Sequence, residues 1–193
     1  MRTLLVAALI LLSAPLAQAQ APAARYVLDP AHTQVAFSIE RFGFNRVLGR
    51  FEKVTGEVML DQANPARSSV NATIETASVS AGDATRDEHL RGERWLDVAR
   101  YPTMTFRSTS VKPTGPQTAE VIGDLTLHGQ TKPVTLTVTL NKLGNSPSNN
   151  FASAGFSATG VVSRAAFGIA IAPQLIGDEV RITIEALAQQ PRP

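Results

Sequence analysis

Apolar and polar residues alternate with a period of two through most of this 193-residue chain. The pattern is clearest in residues 134–142, where Val134, Leu136, Val138 and Leu140 alternate with threonines. Successive side chains of a β-strand point to opposite faces, so this pattern predicts a strand with one buried and one solvated face. The same alternation is found at residues 32–40, 51–60, 69–77, 103–112, 120–128, 156–162 and 180–186.

These segments predict an all-β domain of about eight strands, since a strand of this length is usual in globular proteins. The short connections favour antiparallel pairing, and one polar face per strand suits either a sandwich or a barrel. A closed barrel leaves no unpaired edge strand, which a soluble monomer would otherwise have to protect. The alternation changes phase between Phe51 and Val54, which predicts either a bulge or a strand with Phe51 on the other face. We therefore expect an eight-stranded antiparallel barrel, whose interior accommodates side chains or one small ligand.

Residues 83–101 interrupt the β pattern. Thr85 and Glu88 have the spacing of a helix capping box, and Gly92 is placed to end that helix. We predict one or two short helices that cross over between strands and cover a cavity mouth. Residues 42–48 are predicted to form a second irregular stretch.

Residues 1–19 have the three parts of a secretory signal peptide. Arg2 supplies a positive charge, residues 4–12 are apolar, and Ala17-Gln18-Ala19 fits the small-x-small cleavage pattern. A buried N-terminal helix or a membrane anchor is the alternative, but the run is shorter than the roughly 18 apolar residues of a spanning helix. We expect cleavage after Ala19, export, and a single domain of residues 20–193 that does not span a membrane.

The composition excludes several classes of function. The chain has no cysteine, so disulfide scaffolds, thiolate metal sites and cysteine nucleophiles are excluded. Its formal net charge is only +2, which argues against a nucleic-acid partner that would need a basic stripe. Hydrophobic residues make up 44% of the chain, too many for a disordered protein.

Catalytic and metal-binding motifs are missing from the sequence. His32, His89 and His128 lie far apart and in different predicted elements, without the short spacing of metal ligands. A scattered metal site that includes Asp29 is the alternative interpretation. Neither a nucleophile elbow nor a phosphate-binding loop is present. We therefore expect no metal, no cofactor and no catalytic residue.

Four arginines cluster in the predicted crossover: Arg86, Arg91, Arg94 and Arg100. They are suited to a rim that receives an anionic head group such as a phosphate or carboxylate. The alternative is an ordinary exposed helix face, because acidic residues are interspersed among them. The spacing leaves both interpretations open.

Several large apolar residues fall in predicted loops or crossovers rather than in strands: Phe42, Phe44, Trp95, Phe167 and Leu175. Apolar side chains in such positions can line or cap the mouth of a cavity. An ordinary packed core is the alternative. By itself this distribution is a weak indication of a lipid site.

An ordered series of short motifs over residues 26–188 resembles the YceI-like family. The series consists of Tyr26-x-Leu28-Asp29-x-x-His32-Thr33-x-Val35-x-Phe37, Gly49-Arg50-Phe51 with Gly56, Arg86-Asp87-x-His89-Leu90-Arg91, Trp95-Leu96-Asp97, Tyr101-Pro102-x-Met104-x-Phe106, Gly123-x-Leu125-Thr126-x-His128-Gly129, Arg164-x-x-Phe167-Gly168 and Ile176-Gly177-Asp178-x-Val180. No single motif is specific, whereas the ordered series is. The chain departs from the family at Trp95, where phenylalanine is usual, and at Ala165-Ala166, where a polar pair is frequent.

The resemblance implies a lipocalin-like, eight-stranded barrel exported to the bacterial periplasm. It also implies an elongated apolar cavity for a polyisoprenoid, a quinone-like molecule or a fatty amphiphile, and it implies no agreed catalytic residues. It allows a dimer and transient contact with a membrane. The apolar lining is then expected to comprise Phe37, Ile39, Phe42, Phe44, Leu48, Ile74, Leu90, Trp95, Met104, Phe106, Phe167, Ile169 and Leu175. The expected head-group contacts, from position and the family pattern, are His89, Arg91 and Arg164.

The function predicted from these observations is carriage, storage or sequestration of a long apolar chain. Two alternatives remain at this point. One is a non-catalytic periplasmic stress or interaction protein, which predicts a filled barrel and an exposed apolar patch. The other is a lipid-modifying enzyme that uses one of the histidines as a base, which requires that histidine to lie in a cavity beside a partner group.

Overall fold

The computed structural model describes residues 23–191, so the predicted signal peptide lies outside the described residues. One α-helix, α1, spans Ala84–Arg91. The strands are β1 (Ala24–Leu28), β2 (Gln34–Arg41), β3 (Asn45–Phe51), β4 (Val54–Leu60), β5 (Ser69–Glu75), β6 (Val79–Ser80), β7 (Thr103–Pro113), β8 (Thr118–Leu127), β9 (Gln130–Asn145), β10 (Ala152–Ser163) and β11 (Ile176–Gln189).

All neighbouring strands pair antiparallel, and the pairing of β1 with β11 closes the sheet. The eleven strands β1–β11 form a ring of only eight positions around the barrel. In three of these positions, two strands that are consecutive in the chain lie one after the other. Thus β1 and β2 follow each other along the same edge of β11, and β3 with β4 and β5 with β6 continue the ring in the same way. The predicted lipocalin-like, eight-stranded antiparallel barrel is confirmed.

Two local predictions for the N-terminal half are corrected by the structure. The stretch 42–48 is not irregular throughout, because Asn45 already begins β3 and pairs with Arg41. The predicted strand 51–60 is broken after Phe51, which ends β3, and β4 begins at Val54. The phase change in the sequence thus marks a break between two segments of one ring position.

The crossover contains one α-helix, which agrees with the predicted one or two. Asp83, not Thr85, is the N-cap of α1, and its carboxylate accepts a hydrogen bond of 2.8 Å from the backbone N–H of Arg86. A carboxylate at this position also interacts favourably with the helix dipole. Gly92 is the C-cap, as predicted, and the chain then forms turns up to Arg100 instead of a second helix.

The two ends of the barrel differ in how they are covered. At one end, the crossover between β6 and β7 and the segment between β10 and β11 lie across the ring. At the other end, the strands are joined by the connections 61–68, 114–117 and 146–151. The largest buried cluster combines Leu96 and Ile169, near the crossover, with Leu28, Ala154 and Ala188, which pair near the opposite end. The apolar core therefore extends along the barrel, while the crossover covers only one of its ends.

Candidate functional site

The barrel encloses a cavity of about 530 Å³. Every ring position contributes to its wall, and most wall residues are valine, leucine, isoleucine or phenylalanine. The alternating pattern of β9 explains why the wall is apolar. The residues of one face, Val134, Leu136, Val138 and Leu140, belong to the wall, whereas the threonines between them do not. A cavity of this volume is within the usual range for small-molecule sites, which is roughly 300–1,000 Å³.

The cavity opens at the end opposite the crossover. All solvent-exposed residues of its wall lie in the connection 61–68 between β4 and β5, in the connection 114–117 between β7 and β8, or at Pro113, the last residue of β7. These exposed wall residues are Gln62, Pro65, Pro113, Gly115, Pro116 and Gln117. The mouth is therefore built from turn residues, and the crossover covers the closed end.

The closed end is formed by buried and half-buried side chains from the crossover and from the segment after β10. Leu90 of α1, Trp95 and Leu96 belong to the wall there, together with Ile169 and Arg164. Apolar side chains thus seal this end around a single cationic group. Trp95 is the only tryptophan of the chain, so its fluorescence reports on this end of the cavity alone.

Arg164 is 4% exposed and holds the chain segment around it together. Its guanidinium donates to the backbone oxygens of Gly177 from Nε at 2.9 Å, Ile169 from Nη1 at 2.7 Å and Ile176 from Nη2 at 2.8 Å. The guanidinium carbon also lies 5.7 Å from the centroid of the Trp95 ring. A buried guanidinium has five donors to satisfy, and these carbonyls take three of them.

The electrostatics around Arg164 follow from burial and from one nearby acid. Burial lowers the pKa of Arg164, and the charge of Asp178 acts in the opposite direction. Hydrogen bonds from Ser163 and from the backbone N–H of Ala165 lower the pKa of Asp178, with a further contribution from Arg164. Arginine remains protonated in proteins, so the closed end carries a fixed positive charge.

Eight of the residues predicted for the apolar lining lie in the cavity wall. They are Phe37, Ile39, Ile74, Leu90, Trp95, Met104, Phe106 and Ile169. Phe37 and Phe51 pack against each other with ring centroids 5.6 Å apart, and both contribute to the wall. Phe51 was not among the predicted lining residues.

The other five predicted lining residues lie outside the wall, so these predictions are wrong. Phe42 and Phe44 occupy the turn between β2 and β3, where Phe44 is 91% exposed. Leu48 is 68% exposed on β3, and Leu175 is 51% exposed before β11. Phe167 is buried, but in the 3-10 turn after β10 and outside the cavity. Loop position alone could not distinguish a residue that covers the cavity from one that faces solvent.

Only one of the three predicted head-group residues lies in the wall, namely Arg164. His89 is exposed on α1. Arg91 donates to the backbone oxygens of Ala77 at 2.9 Å and Val79 at 2.8 Å, so its side chain fastens α1 to β6 and to the turn that precedes it. The placement of His89 and Arg91 on α1 thus contradicts their predicted contact with a head group in the cavity.

Sequence reasoning missed Asp61, a buried acid in the wall beside the mouth. Asp61 is 2% exposed, and its Oδ1 accepts hydrogen bonds from the backbone N–H groups of Ala63 at 3.1 Å and Asn64 at 2.8 Å. Its Oδ2 has no hydrogen-bond partner, and Nε of Arg67 lies 3.6 Å away. The sequence Asp61-Gln62-Ala63-Asn64-Pro65 indicates a turn but not the burial of its first residue.

The histidines do not converge on the cavity. His32 lies 2.8 Å from Asp29 at the surface, and Nδ1 of His128 lies 3.2 Å from the backbone oxygen of Phe167. Neither residue contributes to the cavity wall, and nor does His89. Within residues 23–191, no three histidine or acidic side chains form a group suited to a metal ion. Over the same residues, no helix has the length and apolar character needed to cross a membrane.

Comparison with solved structures gives the same barrel. The crystal structure of BcnA from Burkholderia cenocepacia superposes with a TM-score of 0.75 at 27% identity, covering 83% of this chain and 98% of that one. A polyisoprenoid binding domain from Saccharophagus degradans, implicated in plant cell wall breakdown, superposes with a TM-score of 0.64 at 16% identity, covering 88% and 99%. The second likeness shows the fold alone.

Comparison of sequences gives closer relatives. A UPF0312 protein of Pseudomonas savastanoi pv. phaseolicola is 42% identical over 166 residues, which cover 85% of this chain and 86% of the relative. Another UPF0312 protein, from Ectopseudomonas mendocina, is 39% identical over 188 residues and covers 95% and 97%. The YceI-like domain matches residues 26–188. With the closed barrel and these relatives in place, this chain belongs to the YceI-like family.

Proposed function

We propose that this protein binds one long apolar chain, a polyisoprenoid or a similar lipid, inside the barrel. The observation that supports the proposal is the open, apolar cavity of about 530 Å³. Transfer of a hydrocarbon chain from water into such a site is favourable by about 0.8 kcal/mol per buried CH₂ group. The structural neighbour from Saccharophagus degradans is described as polyisoprenoid binding, which agrees with this class of ligand.

The composition of the wall implies broad selectivity for the tail. Aliphatic and aromatic side chains contact hydrocarbon without directional bonds, and one methylene group changes affinity only by about 10–200-fold. Prenyl chains, quinone tails and fatty chains are therefore all candidate ligands. The polar residues of the wall are left to distinguish between head groups.

The proposed role is carriage, storage or sequestration of the lipid rather than its chemical conversion. Hydrolytic or transfer chemistry would require a positioned base or nucleophile beside the ligand. The three histidines lie outside the cavity wall, and the two charged residues within it, Asp61 and Arg164, are held by backbone groups. This arrangement supports binding without catalysis.

The experiment that tests the proposal begins with protein isolated from its own cells. Native mass spectrometry is expected to detect a single lipid bound to each chain. The variant Ala119→Trp places a large side chain in the wall near the mouth and is expected to lose that lipid. Glu120→Trp places the same side chain at the next, exposed position and is expected to retain it. Equal lipid occupancy in both variants would contradict the cavity as the binding site.

We further propose export to the periplasm with cleavage after Ala19, supported by the pattern of residues 1–19. The measurement is N-terminal sequencing of the protein recovered from a periplasmic fraction. The expected first residue is Gln20. Recovery of the uncleaved chain from the cytosolic fraction alone would contradict this proposal.

A further inference from the structure

We infer that the ligand lies with its tail toward Trp95 and with an uncharged hydrogen-bond donor, such as a hydroxyl group, bound to Oδ2 of Asp61 at the mouth. This inference rests on the proposed function, since it assumes that a long apolar molecule occupies the cavity. It adds the direction of the ligand and the chemical class of its head group.

The polar residues of the wall are distributed unevenly. Apart from Thr33 and Arg164, all of them lie at the mouth, in or beside the two connections that form it. These mouth residues are Asp61, Gln62, Ser68, Ser69, Gln117 and Thr118. A ligand with one polar end therefore finds hydrogen-bonding groups at the open end and hydrocarbon contacts along the rest of the wall.

Asp61 has an unused acceptor. Its Oδ1 is occupied by the backbone N–H groups of Ala63 and Asn64, whereas Oδ2 is buried without any hydrogen bond. The distance of 3.6 Å to Nε of Arg67 is an ion pair but too long for a hydrogen bond. An unsatisfied buried carboxylate oxygen costs free energy, and a donor from the ligand would remove that cost.

The charge of Asp61 selects the kind of head group. A carboxylate accepts hydrogen bonds and does not donate them, so it binds a hydroxyl group and disfavours a phosphate or carboxylate beside it. A methyl ether keeps the oxygen atom, replaces the hydroxyl hydrogen by a methyl group and therefore has no donor. The preference expected at the mouth is therefore alcohol over ether, and either of these over an anion.

The opposite direction is disfavoured by the closed end. A head group bound at Arg164 would have to pass the whole apolar wall, which costs free energy for each polar atom taken out of water. The Arg164 guanidinium is already engaged by the backbone oxygens of Gly177, Ile169 and Ile176. If the tail enters first, the head group stays at the mouth, so it does not pass the apolar wall and does not need the Arg164 guanidinium.

The test of the head group compares farnesol, farnesyl methyl ether and farnesyl phosphate on the unaltered protein, with Trp95 fluorescence as the readout. Farnesol is expected to bind at least tenfold more tightly than the ether, as for one hydrogen bond to a charged group, and the phosphate most weakly. Equal binding of alcohol and ether, or tightest binding of the phosphate, would overturn the inference and leave the proposed function intact. If none of the three compounds binds, the proposed function itself fails.

The variant Asp61→Asn tests whether Asp61 causes the preference for farnesol over the ether. Asparagine keeps an acceptor oxygen for Ala63 and Asn64 and replaces Oδ2 by an amide donor. The preference for farnesol over the ether is expected to disappear in this variant and to persist in Asp124→Asn, a matched change of an exposed carboxylate on β8. Persistence of the preference in Asp61→Asn would overturn the inference.

The direction of the ligand is tested with brominated alcohols, because bromine quenches tryptophan fluorescence on contact. Dodecanol that carries bromine at its terminal carbon is expected to quench Trp95 strongly. Dodecanol with bromine next to the hydroxyl-bearing carbon is expected to quench weakly at the same occupancy. The reverse order would show that the head group lies at the closed end and would overturn the inference.

Discussion

The ring of Phe106 lies directly over the α-carbon of Gly123, in the space that any other residue would fill with its Cβ. Gly123 is on β8 and Phe106 is on the neighbouring strand β7. A Cβ at Gly123 would overlap the ring and lie 2.6 Å from the backbone oxygen of Arg107. Phe106 is itself part of the cavity wall, so this contact sets the shape of the cavity.

The substitution Gly123→Ala is therefore expected to lower the free energy of unfolding by about 1–3 kcal/mol, the usual cost of overpacking. The methyl group also displaces Phe106, so lipid affinity is expected to fall with stability. Urea unfolding and a lipid titration measure the two effects. Gly155→Ala is the control, because a Cβ at Gly155 meets Asn141 and Lys142 only at 4.0 Å. Equal stability of the two variants would contradict this packing role.

Arg164 is expected to act mainly on stability. In Arg164→Gln, the carbonyl oxygens of Gly177, Ile169 and Ile176 lose charged donors, which is expected to cost about 3 kcal/mol of unfolding free energy. Arg181→Gln, at an exposed position of β11, is the matched control and is expected to have little effect. If Arg164→Gln preserved stability but abolished lipid binding, Arg164 would instead be the head-group residue.

The turn after β10 is expected to weaken in acid because it depends on Asp178. The pKa of Asp178 is lowered in the fold by hydrogen bonds from Ser163 and the backbone N–H of Ala165. A carboxyl group with a lowered folded pKa contributes stability above its unfolded pKa, near about pH 4. That contribution is lost as the pH falls through the folded pKa.

The measurement is urea unfolding of the unaltered protein and of Asp178→Asn between neutral pH and about pH 3. The unaltered protein is expected to be the more stable of the two at neutral pH, and the difference is expected to shrink in acid. Asp29, whose pKa is also lowered, is present in both proteins and cancels in this comparison. A difference that is constant across the pH range would contradict a role for the Asp178 charge.

Phe44 and Phe37 are expected to respond very differently to the same substitution. Phe44→Ser removes a side chain that is 91% exposed, so the unfolding free energy should change by less than about 0.5 kcal/mol and lipid binding should not change. Phe37→Ser removes a ring from the cavity wall and is expected to cost roughly 3 kcal/mol and to weaken lipid binding. Loss of lipid in Phe44→Ser would show that the turn between β2 and β3 also contacts the ligand.

The sequence alone was sufficient for the barrel and for much of its lining. The alternation in β9 places Leu136 and Val138 on the same face, and in a closed ring that face is the interior. Phe37, Ile74, Met104 and Phe106, which the family resemblance implied as lining, also lie on the apolar faces of alternating segments and belong to the wall. Side-chain direction in a strand is a local property, so it can be read from neighbouring residues.

Tertiary structure decided which end of the barrel is open and which polar groups the ligand can reach. Phe44 and Trp95 both lie in irregular segments, yet one faces solvent and the other closes the cavity. Asp61 has the sequence context of a turn, and only the tertiary structure shows that it is 2% exposed and part of the wall. Burial of a loop residue depends on segments distant in the chain that pack over it, and alternation within a strand carries no information about that packing.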